Sequence, residues 1–187
     1  MLTSHACACC LALLLPTACT AGYADDYVAI QNALATYPLA IDSKDFGLLS
    51  SVFTVDVVAN YSAPLNVLKG LAQVESVLEQ AYGALTIQAQ TQADVGSLAL
   101  VSSQHSYTTQ KIDVYGDTAN STTYYTANQF GKGVYEGQVL YSYGKYVDQL
   151  VRIHEPNETA GCLPQWRVFS RQLVYLGPNI GNVSVFT

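Results

Sequence analysis

Asp42, in the stretch Ala-Ile-Asp-Ser-Lys-Asp-Phe, is a carboxylate whose position is not ordinary surface. It follows apolar Leu39, Ala40 and Ile41 and precedes Ser43, Lys44 and Asp45, which are poor candidates for burial and mark an exposed turn. A carboxylate there either caps the helix that comes next, since Asp is a favoured N-cap, or looks into a cavity. Two histidines follow residue 24. His154, in the polar run Arg-Ile-His-Glu-Pro-Asn, reads as a solvated loop residue, and His105, in Ser-Ser-Gln-His-Ser-Tyr, begins a strand where a structural role is the plain reading. Cys162 sits in the loop-like Glu-Thr-Ala-Gly-Cys-Leu-Pro, and a nucleophilic thiol there would need a nearby base. Beyond residue 24 there is no His-x-His, no Cys-x-x-Cys, no phosphate-loop spacing and no Gly-x-Ser-x-Gly. Neither a metal nor an organic cofactor is expected.

The elements that must position these groups follow from periodicity. Asp25 to about Leu39 reads as a first helix with an apolar stripe of Val28, Ile30, Ala33, Leu34 and Tyr37, its end disturbed by Pro38. Phe46, Leu49, Val52 and Phe53 recur at helical spacing, so a short helix packs inward before Val55, Val57 and Val58 turn the chain into a strand ending near Tyr61. Leu65 to Leu68 lead through Gly70 into a helix over Leu71 to Tyr82, and the Gln-rich stretch 86–96 reads as a loop that could cover a pocket. Strands are then expected at Gln104 to Tyr115, Ala119 to Gln129, Gln138 to Ile153 and Gln165 to Leu176, with a turn at Gly116-Asp117 and a tail from Gly177. Helices followed by a run of antiparallel strands make an α+β plan. Tyr141 and Tyr143 share one strand face and Tyr146 the other, Asp148 and Arg152 share a face and could pair, and Trp166 reads as core.

Hydrophobic residues make up 50% and charged residues 12% of the chain, which argues against disorder. The net charge of −6 is the wrong sign for a phosphate backbone, so no nucleic-acid partner is expected. Residues 1 to about 24 read as a secretory signal: an apolar run from Cys9 to Leu15, then Pro16 and small residues, too short for a comfortable span. Four of the five cysteines lie in it and would leave with it. Cleavage would leave residues 25–187 as one domain without stable membrane association, in the secretory lumen or secreted. Sequons at Asn60, Asn120, Asn157 and Asn182 agree with that route. Asn120, Asn157 and Asn182 fall in expected turns or tail and are the candidate glycan sites, whereas Asn60 lies in a strand.

The helix, Ala-Ile-Asp-Ser-Lys-Asp-Phe, second helix and Val-Phe-Thr-Val-Asp-Val-Val-Ala-Asn-Tyr, with the later Gly-Lys-Tyr-Val-Asp-Gln-Leu-Val-Arg and Gln-Trp-Arg-Val-Phe-Ser-Arg, resemble a SnoaL-like domain of the nuclear-transport-factor-2-like superfamily, relatives of scytalone dehydratase and ketosteroid isomerase. The resemblance spans roughly Asp26 to Leu176. It implies a strongly curved antiparallel sheet wrapped around about three N-terminal helices, a cone with an apolar pocket. It places Asp42 on the family's pocket aspartate, His105 on the histidine of a Thr-Gln-His segment and Tyr61 on a tyrosine at the end of the first strand. In such a pair the carboxylate fixes the imidazole tautomer and the imidazole exchanges a proton; ketosteroid isomerase, with carboxyls and Tyr in an apolar cone, follows similar logic. The chain departs from scytalone dehydratase at Ile41, where that family has tyrosine, and near Asn128 or Gln129, where it has a second histidine. Polar amides there could orient a substrate oxygen.

The resemblance and the residues together suggest a cofactor-independent enzyme of secondary metabolism that cyclises, dehydrates or isomerises a small hydrophobic or aromatic, polyketide-like or terpenoid substrate. Asp42, His105 and Tyr61 would be catalytic, and Asn128, Gln129, Tyr125 and Tyr143 would bind substrate. An epoxide hydrolase or epoxide-opening cyclase, with Arg167 or Arg171 beside carboxylates, is one alternative. A non-catalytic pocket protein in which Asp42 is a helix cap is another. Tyr-rich strands on the outer sheet face would suit a homodimer.

Overall fold

The computed structural model describes residues 22–63, 65–82, 101–154, 163–182 and 185. Residues 1–21, which include most of the expected signal segment, the Gln-rich stretch 86–96, Asn157 and Cys162 lie outside the described residues.

The first helix, α1, spans Tyr23–Ser43 and buries Asp26, Ala29, Ile30, Ala33, Leu34, Tyr37, Pro38, Ala40 and Ile41, a stripe at three- and four-residue intervals. Val28, expected on that stripe, is 43% exposed, and Ala29 takes its place. The helix also runs on past Pro38 to Ser43 instead of ending near Leu39. A proline inside a helix forfeits one backbone hydrogen bond. Here the flanking Tyr37, Ala40 and Ile41 are 2% exposed or less, and their burial offsets that loss. The helix stops where Lys44 turns left-handed at φ 60°, its N–H reaching back to the Ala40 and Ile41 carbonyls. A six-residue 3-10 helix, Phe46–Ser51, comes next, and Phe46, Leu49, Val52 and Phe53 all pack inward as their spacing requires.

Strand β1, Phe53–Asn60, leads into the short β2, Val67–Lys69, and helix α2, Leu71–Tyr82. Four long strands complete the frame: β3 Val101–Tyr115, β4 Thr118–Gly131, β5 Val139–Ile153 and β6 Gln165–Tyr175. A two-residue strand β7, Ile180–Gly181, comes from the expected tail and pairs with β5. The seven strands form one sheet in the order β2-β1-β6-β5-β4-β3, with β7 on β5 beyond the end of β6. The strand run β3 to β6 is antiparallel throughout, whereas β1 joins β6 in parallel, so the sheet is mixed. Register shifts between Tyr107 and Gln110, between Gln149 and Leu150 and between Phe53 and Val58 bend it. Helix α1 touches both β3 at one margin and β6 three strands away, so the sheet curls around the helices as a cone.

Alternation along the strands sorts the two faces. Ala119, Ser121, Thr123, Tyr125, Ala127 and Gln129 of β4 are buried, as are Leu140, Tyr146, Asp148 and Leu150 of β5. Tyr124, Phe130, Tyr143 and Val147 stand on the other, outer face, each about two-fifths exposed. Asp26 in the first turn of α1 is held by Arg152 of β5 and by Trp166 Nε1 at 2.9 Å, which ties the helix start to the sheet.

Candidate active site

Asp42 lies in the last turn of α1, so it caps nothing; the cap position of the 3-10 helix is Asp45, which makes no side-chain capping bond. A carboxylate at a helix C-terminus faces the negative end of the macrodipole, a placement that costs about 0.3–1 kcal/mol. His105 in β3 holds it there. The His105 backbone N–H donates to Asp42 Oδ2 at 2.7 Å, and the His105 ring nitrogen Nδ1 stands 2.7 Å from Oδ1. The carboxylate thus grips both the strand and the ring. A carboxylate can only accept, so in the neutral ring Nδ1 carries the hydrogen and Nε2 the lone pair. The imidazole is 4% exposed and Asp42 22%. Tyr82, in the last turn of α2, meets the imidazole edge to face, at 6.0 Å between centroids and 68°.

His105 lines a cavity of about 250 Å³ bounded by α2, by β3 to β6 and by the segment after β6. Its walls are aromatic and aliphatic: Tyr61, Tyr82, Tyr125, Tyr146 and Tyr175 with Leu65, Leu78, Ala81, Ala127, Leu140 and Leu173. Burial pushes the Tyr61 phenol up to about 12, against a smaller opposing pull from Arg171, so near neutrality it is a hydrogen-bond donor and not a base. Burial raises Tyr82 and Tyr125 in the same direction.

Beneath the cavity lies a buried ion pair. Arg171 of β6 and Asp148 of β5 sit opposite each other in the ladder and join through two bonds, Nε to Oδ1 at 2.8 Å and Nη2 to Oδ2 at 2.7 Å. The guanidinium carbon lies 4.3 Å from the ring centroids of both Tyr37 and Tyr146, which meet each other edge to face. Burial alone would lower its pKa, but Asp148 holds it well above the ordinary value. The expected Asp148–Arg152 pairing is therefore corrected: four residues along a strand span about 13 Å, and Arg152 reaches Asp26 instead. Arg167 is spent elsewhere, on Ser50 O, Trp166 O and Gln165 Oε1.

One wall of the cavity is polar. Gln129 of β4 is 2% exposed, and its Oε1 is buried without a partner. Beside it, Ser142 Oγ of β5 donates to Asn179 Oδ1 at 2.7 Å. Asn179 lies in the short connection between β6 and β7, which turns its side chain to the cavity. Gly181 pins that connection: its φ is +115°, and a Cβ there would fall 2.0 Å from Val139 O.

Asp42, His105, Tyr61, Tyr125 and Gln129 are thus brought together, with Asp42 behind His105 and the other four lining the cavity. Asn128 and Tyr143 are not. They point to the outer face, because their neighbours in sequence, Ala127 and Ser142, which pair with each other in the ladder, face in. Asn128 faces Gln104 at 3.5 Å, and Tyr143 is 38% exposed. Of the glycan candidates, Asn120 is exposed but within β4 and not in a turn, and Asn182 donates its side-chain amide to Gln138 Oε1. Asn60 bonds Gln172 Oε1 at 2.9 Å and the Ser62 N–H. His154, 62% exposed, meets Asp117 at 3.3 Å. The cavity also takes Tyr82, Tyr175, Ser142 and Asn179, none of which the sequence reading assigns to a site. A two-residue count from Tyr146 would put Ser142 on the inner face, but nothing local marks Asn179. Among the described residues, no three His, Cys, Asp or Glu side chains gather as a metal would need.

The fold recurs in solved structures. A provisionally assigned aromatic ring hydroxylase from Novosphingobium aromaticivorans is 20% identical with a TM-score of 0.63, the match covering 89% of this chain and all of that one. A provisionally assigned scytalone dehydratase from the same bacterium is 18% identical with a TM-score of 0.60, over 83% of this chain and 87% of its own. A type 2 hexachlorocyclohexane dehydrochlorinase is 12% identical with a TM-score of 0.58, over 83% and 88%. At these identities the likeness is one of fold. No protein of curated function matches the sequence. The sequence model of the SnoaL-like domain matches residues 22–172, from the start of α1 into β6, and the chain belongs to that family.

Proposed function

We propose that this chain is an enzyme that dehydrates, isomerises or cyclises a small ring-bearing metabolite, polyketide-like or terpenoid, by moving a proton between carbon and oxygen without a bound cofactor. The observation that carries this is the His105–Asp42 pair, joined at 2.7 Å at the wall of a partly open, mostly apolar cavity. His105 Nε2 takes a proton from a carbon next to a carbonyl. Asp42 steadies the imidazolium that results. Tyr61, kept protonated by burial, donates to the oxygen on which charge develops, and does so where little water competes. The same imidazolium then returns its proton, to a different carbon in an isomerisation or to a departing hydroxyl in a dehydration. Gln129 Oε1, an acceptor without a partner, suits a substrate hydroxyl. Two of the similar structures carry names of eliminations, a dehydratase and a dehydrochlorinase, which favours an elimination among these reactions. The alternative of an inert pocket protein rested on Asp42 as a helix cap, and the cap position belongs to Asp45. We also read residues 1–24 as a secretory signal, which sequencing the N-terminus of the protein secreted from a eukaryotic host would test.

The test is a panel of small cyclic ketones and β-hydroxyketones incubated with the protein in D₂O and followed by NMR. Deuterium entering the carbon beside the carbonyl, or loss of the β-hydroxyl as water, is expected for at least one of them. A folded protein that changes none of a broad panel would contradict the reading.

A further inference from the structure

Gly144 sits in the middle of β5, directly across the ladder from Tyr125 of β4. Its φ is not positive, so the backbone there would accept any residue. Space is what demands glycine. A Cβ at this position would lie 2.6 Å from Tyr125 Cε1 and 2.8 Å from both Cζ and Oη. The Tyr125 ring therefore crosses the sheet in the volume that a side chain at 144 would fill. It is 5% exposed and stacked on Tyr146 at 4.8 Å and 24°, and both rings line the cavity.

We propose that Gly144 determines which substrates fit: by housing the Tyr125 ring over β5 it keeps the cavity open to a fused two-ring molecule. With any side chain at 144 the ring must retreat by about 1 Å to regain ordinary carbon contact. The sheet blocks it below and Tyr146 blocks it alongside, so it moves into the cavity. The narrower space would favour a single ring over a fused pair. This deepens the reading of the cavity as the substrate pocket and rests on it for its relevance to catalysis, but its tests involve no turnover.

The experiment measures binding of phenol and of 2-naphthol by calorimetry to the wild-type protein, to Gly144→Ala and to the double variant Gly144→Ala/Tyr125→Leu, each checked by thermal melting. Wild type should bind 2-naphthol more tightly than phenol. Gly144→Ala should weaken 2-naphthol by about tenfold and leave phenol nearly unchanged, the scale of an overpacked site. Removing the ring in the double variant should restore 2-naphthol binding, which a generally damaged sheet could not do. A crystal structure of Gly144→Ala should show the Tyr125 ring displaced into the cavity. The proposal is overturned if wild type fails to prefer 2-naphthol, if Gly144→Ala weakens both probes alike, if the double variant stays weak while folded, or if the β5 backbone yields and the ring stays in place.

Discussion

Replacing Asp42 by Asn removes one charge and changes almost no volume, so the hydrogen-bond geometry alone sets the outcome. Asp42 accepts two hydrogen bonds at 2.7 Å, one from the His105 main chain and one from Nδ1. Asn offers one acceptor and one donor. If its oxygen stays on Nδ1, its NH₂ confronts the His105 backbone N–H, and a part-buried donor is left unpaired at about 1–3 kcal/mol. If the amide turns over, its NH₂ donates to Nδ1, the ring hydrogen moves to Nε2, and the cavity loses its base. Relief at the helix terminus returns about 0.3–1 kcal/mol. With the oxygen kept on Nδ1 the net loss of stability is about 0–3 kcal/mol, a fall of up to roughly 10 °C in Tm for a domain of this size, and with the amide turned over no donor is orphaned and little stability is lost. Turnover should drop about a hundred- to ten-thousand-fold whichever way the amide settles, because the imidazolium has lost its counter-charge. The ring nitrogen shifts in a ¹⁵N NMR spectrum report the tautomer without any substrate. An Asp42→Asn protein that turns over at the wild-type rate, with its imidazole unchanged, would refute the reasoning.

Arg171→Met should cost about 3–5 kcal/mol, because it leaves Asp148 buried and uncompensated; a melting temperature close to wild type would contradict the assignment of that pair. At alkaline pH, Tyr61 has its folded-state pKa raised from 10.0 to about 12, so its share of stability is full below pH 10 and is lost as pH rises through 12. Burial raises Tyr37, Tyr107 and Tyr146 in the same direction, so part of the tyrosinate absorbance should appear only together with unfolding; complete ionisation of the tyrosines near pH 10 with the fold intact would disagree. The outer face carrying Tyr124, Phe130, Tyr143 and Val147 should pair two copies, and light scattering that reports monomer at micromolar concentration would exclude that.

Element positions are largely legible in the sequence because each strand alternates and each helix repeats its apolar residues over enough length to be counted. Pro38 misleads because local propensity weighs a lost hydrogen bond, whereas the burial of Tyr37, Ala40 and Ile41 is a tertiary gain that no local window contains. That one error makes a cap reading of Asp42 tenable. Asn128 and Tyr143 are misplaced for want of a parity anchor. Once His105 is opposite Ala127, and Ala127 opposite Ser142, every second residue of β4 and β5 is assigned. The parallel pairing of β1 with β6, the Asp148–Arg171 pair and the arrival of Asn179 depend on residues far apart in the chain. Gly144 carries no signal of its own, because the ring that needs it belongs to Tyr125, on another strand.

His105 is the group on which proton transfer depends. The direct measurement is the initial rate of deuterium incorporation or dehydration for whichever panel compound wild type transforms, compared with His105→Ala after its fold has been checked by circular dichroism and melting. A loss of about a hundred- to ten-thousand-fold in kcat with the fold preserved is the expected result. A folded His105→Ala protein that works within a few-fold of wild type would contradict that role.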